Sequence, residues 1–308
     1  MEENNFYNAE IKERFMDNVD LNKYPPRWWE RVFEKSRVFE ELYQRDLYDF
    51  STSNIIDFFK FLDLANINNI IVYKLNLARY AEWAVSENLV ADNQIHFNEL
   101  SIEILDGCIS KARIDNSILT YEKMRSIRFV NHQDAFVFWS IFEGIKGKDY
   151  EEIINLKLAD INQVKGIVEL CTGRSIKVSR AFIDECIYTD MEQEYITLKD
   201  ADIVLPLLPS EYIFKEKRMS RGVDKARTVY NTIVRNIRYF PELANDVTAR
   251  SIKDSGLIYY LNKRAEECEC TVEDLLYNPK KCQDIIDKYN FNIMVRKKWM
   301  MMYKDYLI

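Results

Sequence analysis

Apolar residues recur along most of this chain at helical spacing, and the breaks between runs divide it into units. Near the amino terminus Pro25-Pro26 can set a turn and start a helix, with Trp29, Val32, Phe33 and Phe39 as its apolar positions. Ser51 to Asn54 offer caps for the next helix, and "NINN" (66–69) interrupts before a run carrying Tyr73, Leu77, Tyr80 and Trp83. With "NELSIEILDGCISKA" these segments predict a compact helical module, and "RIDNS" (113–117) reads as a linker. Residues 120–156 keep the helical pattern. Within them Asp149 is placed to cap a helix while Glu152 reaches back, leaving Ile153, Leu156 and Ile161 as an inward face.

The pattern then changes. "GIVELC", "TGRSIKVS" and "EYITL" carry β-branched residues around turns, which predicts a small sheet, with a helix over "SRAFIDECIYTDMEQ". From residue 221 helices resume, one of them opened by Thr271 with Asp274 answering. The expected fold is therefore mainly α with a small β-sheet. Its expected parts are a helical extension (1–45), a helical domain (46–115) and a larger mixed domain (116–308).

Composition narrows the chemistry. No stretch approaches the ~18 apolar residues of a membrane span, and the polar start "MEENNFYNAEIKER" is unlike a secretory signal. The six cysteines form no CxxC pair, and Cys268-Glu-Cys270 is too close for the usual zinc spacing, so buried free thiols in a reducing cytoplasm are expected. Only His96 and His132 are available for a triad or a His-based zinc site, and neither lies in a recognisable motif. Common nucleotide-phosphate loops are absent. No cofactor and no metal are expected.

Charge points elsewhere. Net charge is −7, yet between residues 215 and 264 twelve basic residues face five acidic ones. A basic segment inside an acidic protein is what a confined phosphate-binding surface requires, although a charge run is also the ordinary makeup of a solvated face.

Three segments carry a resemblance to the tyrosine recombinases, the phage integrase family. "GKDYEEIINLKLADI" (147–161) resembles the family's first box, "TGRSIKVS" its lysine-bearing hairpin, and "VTARSIKDSGLIYYL" (247–261) its second box, the HxxR motif. The resemblance covers roughly residues 50–308. It implies a SAM-like core-binding domain over 46–115 and a recombinase-like catalytic-domain fold over 116–308. It also implies that cations once steadied a scissile phosphate while a tyrosine attacked it. Carried over by position, Asp149 stands at the first arginine, Lys177 at the hairpin lysine, Arg250 at the histidine and Lys253 at the second arginine. Tyr289, Tyr303 and Tyr306 remain candidates for the nucleophile's place. Lysine does not reproduce the planar grip of a guanidinium, and losing one donor of this kind typically costs ~10²–10³ in rate.

A catalytically inactive recombinase fold is thus expected. Its pattern is similar to the master repressors of SPβ-like prophages, which implies a cytoplasmic, nucleoid-associated bacterial repressor that maintains lysogeny at several operators. The expected partner is double-stranded DNA, met by Arg174, Lys177, Arg218, Arg221, Lys225, Arg227, Arg235, Arg238, Arg250 and Lys253. No membrane partner is expected, and the C-terminal segment "VRKKWMMMYKDYL" is a candidate for self-association. Two alternatives stay open: an active integrase using Lys146 or Lys148, and a non-enzymatic partner of a recombinase.

Overall fold

The computed structural model describes residues 6–18, 26–92, 95–200, 202–218, 222 and 224–308. It divides into two units, residues 1–113 and 114–308.

The first unit is helical among its described residues: α1 (Ala9–Asn18), α2 (Pro26–Tyr43), α3 (Thr52–Phe61), α4 (Ile67–Ser86) and α5 (Ile102–Asp106), with short 3-10 turns. Ser51 and Asn54 form a reciprocal cap on α3, and the Asn66 side chain accepts from the Asn68 amide to start α4. Phe15 of α1 meets Trp29 of α2 at 4.7 Å and Tyr80 of α4 at 4.6 Å between ring centroids. The described residues of 1–45, a stretch expected as an extension, therefore share one core with α3 and α4.

A buried charge cluster ties the same helices. The Lys12 ammonium reaches Glu40 at 2.7 Å and Asp46 at 3.2 Å, and Tyr80 donates to Asp46 at 2.9 Å. Burial pushes the Glu40 carboxyl up to about 7, against the pull of Lys12.

The second unit is built around α8 (His132–Phe142), in which every residue from Gln133 to Phe142 is buried. Three helices pack on it: α10 (Arg180–Met191), α11 (Lys225–Tyr239) and α12 (Ala249–Glu267). Two short helices, α6 (Lys111–Ser117) and α7 (Tyr121–Ser126), lead into it. The segment expected as a linker is thus helical, and the unit boundary falls within α6.

β1 (Ile161–Asn162), β2 (Ile167–Glu169) and β3 (Ser175–Lys177) form an antiparallel sheet in sequential order, with Val168 opposite Ile176. A separate hairpin pairs β4 (Glu194–Ile196) with β5 (Val204–Pro206). The strands β1 and β5 were not expected. The chain closes with α13 (Val272–Tyr277), capped by Thr271 and Asp274 as expected, then α14 (Gln283–Tyr289) and α15 (Arg296–Tyr303).

The segment 147–161 departs from its expectation. Asp149 and Tyr150 both take left-handed backbone (φ 50° and 62°), so α9 spans only Glu151–Ile154. Glu152 does not answer Asp149; its carboxylate accepts from the Lys146 amide at 2.9 Å, while Glu151 accepts from Lys148 at 3.0 Å. Two successive residues with positive φ rule out a helical start at Asp149.

This packing can be tested at two positions. Gly256 lies where α12 crosses the end of α8, and a Cβ there would fall 1.8 Å from the Phe142 carbonyl oxygen. Gly256→Ala is expected to cost about 3 kcal/mol or more, because backbone rather than a side chain must move; urea unfolding measures it. For Glu40, the folded carboxyl holds its proton to higher pH than the unfolded one. Its contribution to stability is therefore full below about 4.5 and declines as pH rises through about 7. Glu40→Gln should flatten that part of the pH–stability curve.

Candidate nucleic-acid interface

A cleft of about 610 Å³ in the second unit gathers the segments that the sequence set apart. Lys146, Gly147 and Lys148 come from the turn before α9, Thr172 and Arg174 from the β2–β3 hairpin, and Arg250 and Lys253 from the first turns of α12. Tyr289 and Asn290 close it at the end of α14. Gly147 turns the chain at φ 67°, a left-handed position that glycine fills without strain. Thr248 caps α12 through Ser251, which aims Arg250 and Lys253 from a fixed helix start.

Arg174 is used inside the protein. Its guanidinium grips Glu152 at 2.9 and 2.5 Å and also donates to the carbonyls of Gly144, Asp287 and Lys288. Burial would raise the Glu152 carboxyl, but hydrogen bonds from Arg174, Thr172 and the Lys146 amide hold it below its usual range. This ion pair joins the first-box turn, the hairpin and α14.

Lys253 is different. Its ammonium has no hydrogen-bond or ion-pair partner among the described residues, and burial pushes its pKa down; the nearby Asp254 and Glu152 charges oppose the shift, while Lys146 and Arg174 add to it. Arg250 is exposed and lies 3.6 Å from Asp254, a loose contact. Lys253 and Arg250 thus retain capacity for an anion, whereas Arg174 is already neutralised. Asp149 is exposed and does not line the cleft.

Each of the three tyrosines donates to an acceptor of its own chain. Tyr289 is fully buried and gives its hydroxyl to the Phe142 carbonyl at 2.5 Å. Tyr303 donates to Asp254 at 2.9 Å, beside the Trp299 indole at 3.2 Å from the same carboxylate, and Tyr306 donates to Asp115. Burial raises all three phenols well above their ordinary range. The Trp299 and Tyr303 contacts also seat α15, the candidate for self-association, on its own chain.

The remaining expected residues scatter. Lys177 lines a different cleft. Lys225 pairs with Glu216 at 3.2 Å, and Arg235 turns inward to the buried Asp134 at 3.1 Å and to Tyr195. Lys215 and Lys217 are buried, so part of the basic excess is used inside the fold. Arg218, Arg227 and Arg238 are exposed, and Arg221 lies outside the described residues. The charge pattern alone did not single out Tyr230, Asn231 and Val234. With Arg227 and Arg238 they form one exposed stripe on α11 at spacings of three, four, seven and eleven. That spacing is legible in the sequence.

Comparison with known proteins decides the family. The family model described as MrpR, C-terminal catalytic domain, matches residues 118–307, and that of the MrpR N-terminal core-binding domain matches residues 6–86. This chain belongs to the MrpR family. The fold is tyrosine-recombinase-like, a core-binding domain followed by a catalytic-domain fold, mostly helical with sheets of three and two strands. A relative, the SPbeta prophage-derived uncharacterized protein YopR of Bacillus subtilis (strain 168), is 25% identical over 98% of this chain and 94% of its own length. Among the described residues no helix of this MrpR-family chain is long and apolar enough to cross a membrane, and no three His, Cys, Asp or Glu side chains group as metal ligands would.

The cleft yields a direct test of its ion pair. Arg174→Met would strand the buried Glu152 carboxylate and is expected to cost about 3 kcal/mol in chemical denaturation. Combining it with Glu152→Gln should cost less than the sum of the two single changes.

Proposed function

We propose that this chain binds double-stranded DNA at operator sites and represses transcription without cutting it, as a catalytically inactive member of the recombinase-like fold. The observation that carries this reading is the contrast between the cations of the cleft and the three candidate tyrosines, of which only Tyr289 lines it. Lys253 has no ion-pair partner among the described residues and Arg250 only a loose one, while the Tyr289 and Tyr303 hydroxyls are held by buried acceptors and the Tyr306 hydroxyl by Asp115 at the surface. Such a site attracts a phosphate and offers it no nucleophile. Lys146 and Lys148 add charge at its edge.

Base reading is assigned to the α11 stripe. Arginine and asparagine can pair with purine edges, and Val234 suits a thymine methyl. Arg218, Arg227 and Arg238 supply exposed charge, while Lys225, Arg235 and Arg174 support the fold from within. The prophage origin of the YopR relative supports a phage setting, hence the maintenance of lysogeny.

A working recombinase is the competing reading, favoured by the family's description as carrying a catalytic domain. It requires one phenol to leave its internal acceptor and a cation to replace Asp149.

Sequencing and footprinting of host and prophage fragments captured by the purified protein separates the two. Repression predicts several short related sites near promoters, with unbroken strands and no covalent adduct. The double variant Arg250→Ala, Lys253→Ala should weaken binding and reduce the slope of log affinity against log salt by roughly 0.9 for each phosphate no longer neutralised. Covalently trapped protein, abolished by Tyr303→Phe, Tyr306→Phe or Tyr289→Phe, would establish the enzyme instead.

A further inference from the structure

A second cleft in the same unit, about 620 Å³, opens between β3, the start of α10, α12 and α14. It is of the size that holds a small organic ligand, for which sites of ~300–1,000 Å³ are usual. Its charges separate into two groups. Arg264 is committed to Asp284 at 2.8 Å and Glu267 at 3.4 Å, Arg180 to Asp184 at 2.9 Å, and the buried Lys288 to Glu143 at 2.5 Å. Lys177 and Lys263 line the cleft with no ion-pair partner among the described residues. The cleft therefore presents two uncommitted ammonium groups and one carboxylate without an ion-pair partner among the described residues, Asp287, which accepts from Gln283 at 2.7 Å.

Its other distinguishing wall is aromatic. Tyr121 and Tyr259 stack nearly parallel, 9° apart with centroids at 4.6 Å, and Tyr260 stands next to them in sequence with its hydroxyl on Glu143 at 2.7 Å. Lysine ammonium groups hold phosphate as point charges, and a flat tyrosine face accepts a planar base. Inorganic phosphate would use the lysines and leave most of the volume and the tyrosine wall empty.

We propose that this cleft is a binding site for a free nucleoside monophosphate or diphosphate, with the phosphate between Lys177 and Lys263 and the base on the Tyr121–Tyr259 wall. The site shares a wall with the first cleft. The Lys288 ammonium donates to the Lys177 carbonyl at 2.7 Å, the Lys288 carbonyl accepts from Arg174 at 2.7 Å, and the next residue, Tyr289, lines the first cleft. A nucleotide that pulls on β3 thus acts on the element holding Arg174, and coupling between two such sites is reciprocal. This effector role rests on the DNA-binding reading; the nucleotide site itself does not.

Titration calorimetry on the full chain with AMP, ADP and inorganic phosphate tests the site without DNA. Saturable binding of AMP or ADP at one site per chain is expected. It should weaken at least tenfold in Lys263→Ala and in Lys177→Ala, both exposed positions, and inorganic phosphate should bind at least tenfold more weakly than AMP. No saturable binding, equal binding by the variants, or phosphate binding as tightly as AMP would overturn the proposal. If duplex affinity, measured without nucleotide, fell in Lys263→Ala as steeply as AMP affinity, the cleft would be part of the DNA surface and the nucleotide site would be withdrawn. Duplex affinity unaltered by saturating AMP, with AMP bound, would remove the effector role alone.

Discussion

A helix with no solvent face must find a partner for every polar atom it carries, and α8 has a buried carboxylate at each end. Asp134 lies in the first turn, where the helix dipole favours an anion, and receives Tyr195 and Arg235. Glu143 ends the helix, where the dipole opposes it, and receives Lys288, Tyr260 and the Ser179 amide. Leaving either carboxylate unpaired would be costly in so dry a place. Asp134 therefore anchors α11 and the β4–β5 hairpin, while Glu143 anchors α12, α14 and the start of α10. Glu143 thus places α12 and α14, which wall both clefts.

The same demand explains why the charge count misleads. Twelve basic residues between 215 and 264 describe a composition, and the fold then withdraws several of them. Arg235 goes to Asp134, Lys215 to the carbonyls of Asp190 and Glu192, and Lys217 over the Tyr195 ring. What remains outside is a smaller set on α11 and at the start of α12. A phosphate would meet a local field set by which cations are uncommitted, since paired charges contribute little at a distance.

Much of the plan could be read from the chain alone. Serine and threonine caps marked α3 and α13, the break at 66–69 separated α3 from α4, and β-branched clusters marked β2, β3 and β4, because these signals act over four or five residues. The turn at 147–150 could not be read this way: its left-handed pair depends on Glu151 and Glu152 bending back to the Lys148 and Lys146 amides, and Glu152 is held in turn by Arg174, twenty-two residues on. The clefts were half legible. Arg174 and Lys177 are three residues apart on an extended segment, an odd spacing that sends them to opposite faces, and they line different clefts. That the tyrosine hydroxyls would be engaged by Phe142, Asp254 and Asp115 had no sequence signal, because each contact joins residues 49 to 191 positions apart.

The left-handed backbone at Asp149 has a bearing on which side chains the turn accepts. Aspartate tolerates that conformation better than most residues, whereas a long side chain pays ~1–2 kcal/mol there. The resemblance aligns an arginine with this position, yet here an arginine would sit on disfavoured backbone at an exposed place. An arginine placed at 149 would thus not reach the cleft by itself, since Tyr150 and the two glutamate contacts would have to reorganise with it. The turn changes shape as a unit of four residues or not at all.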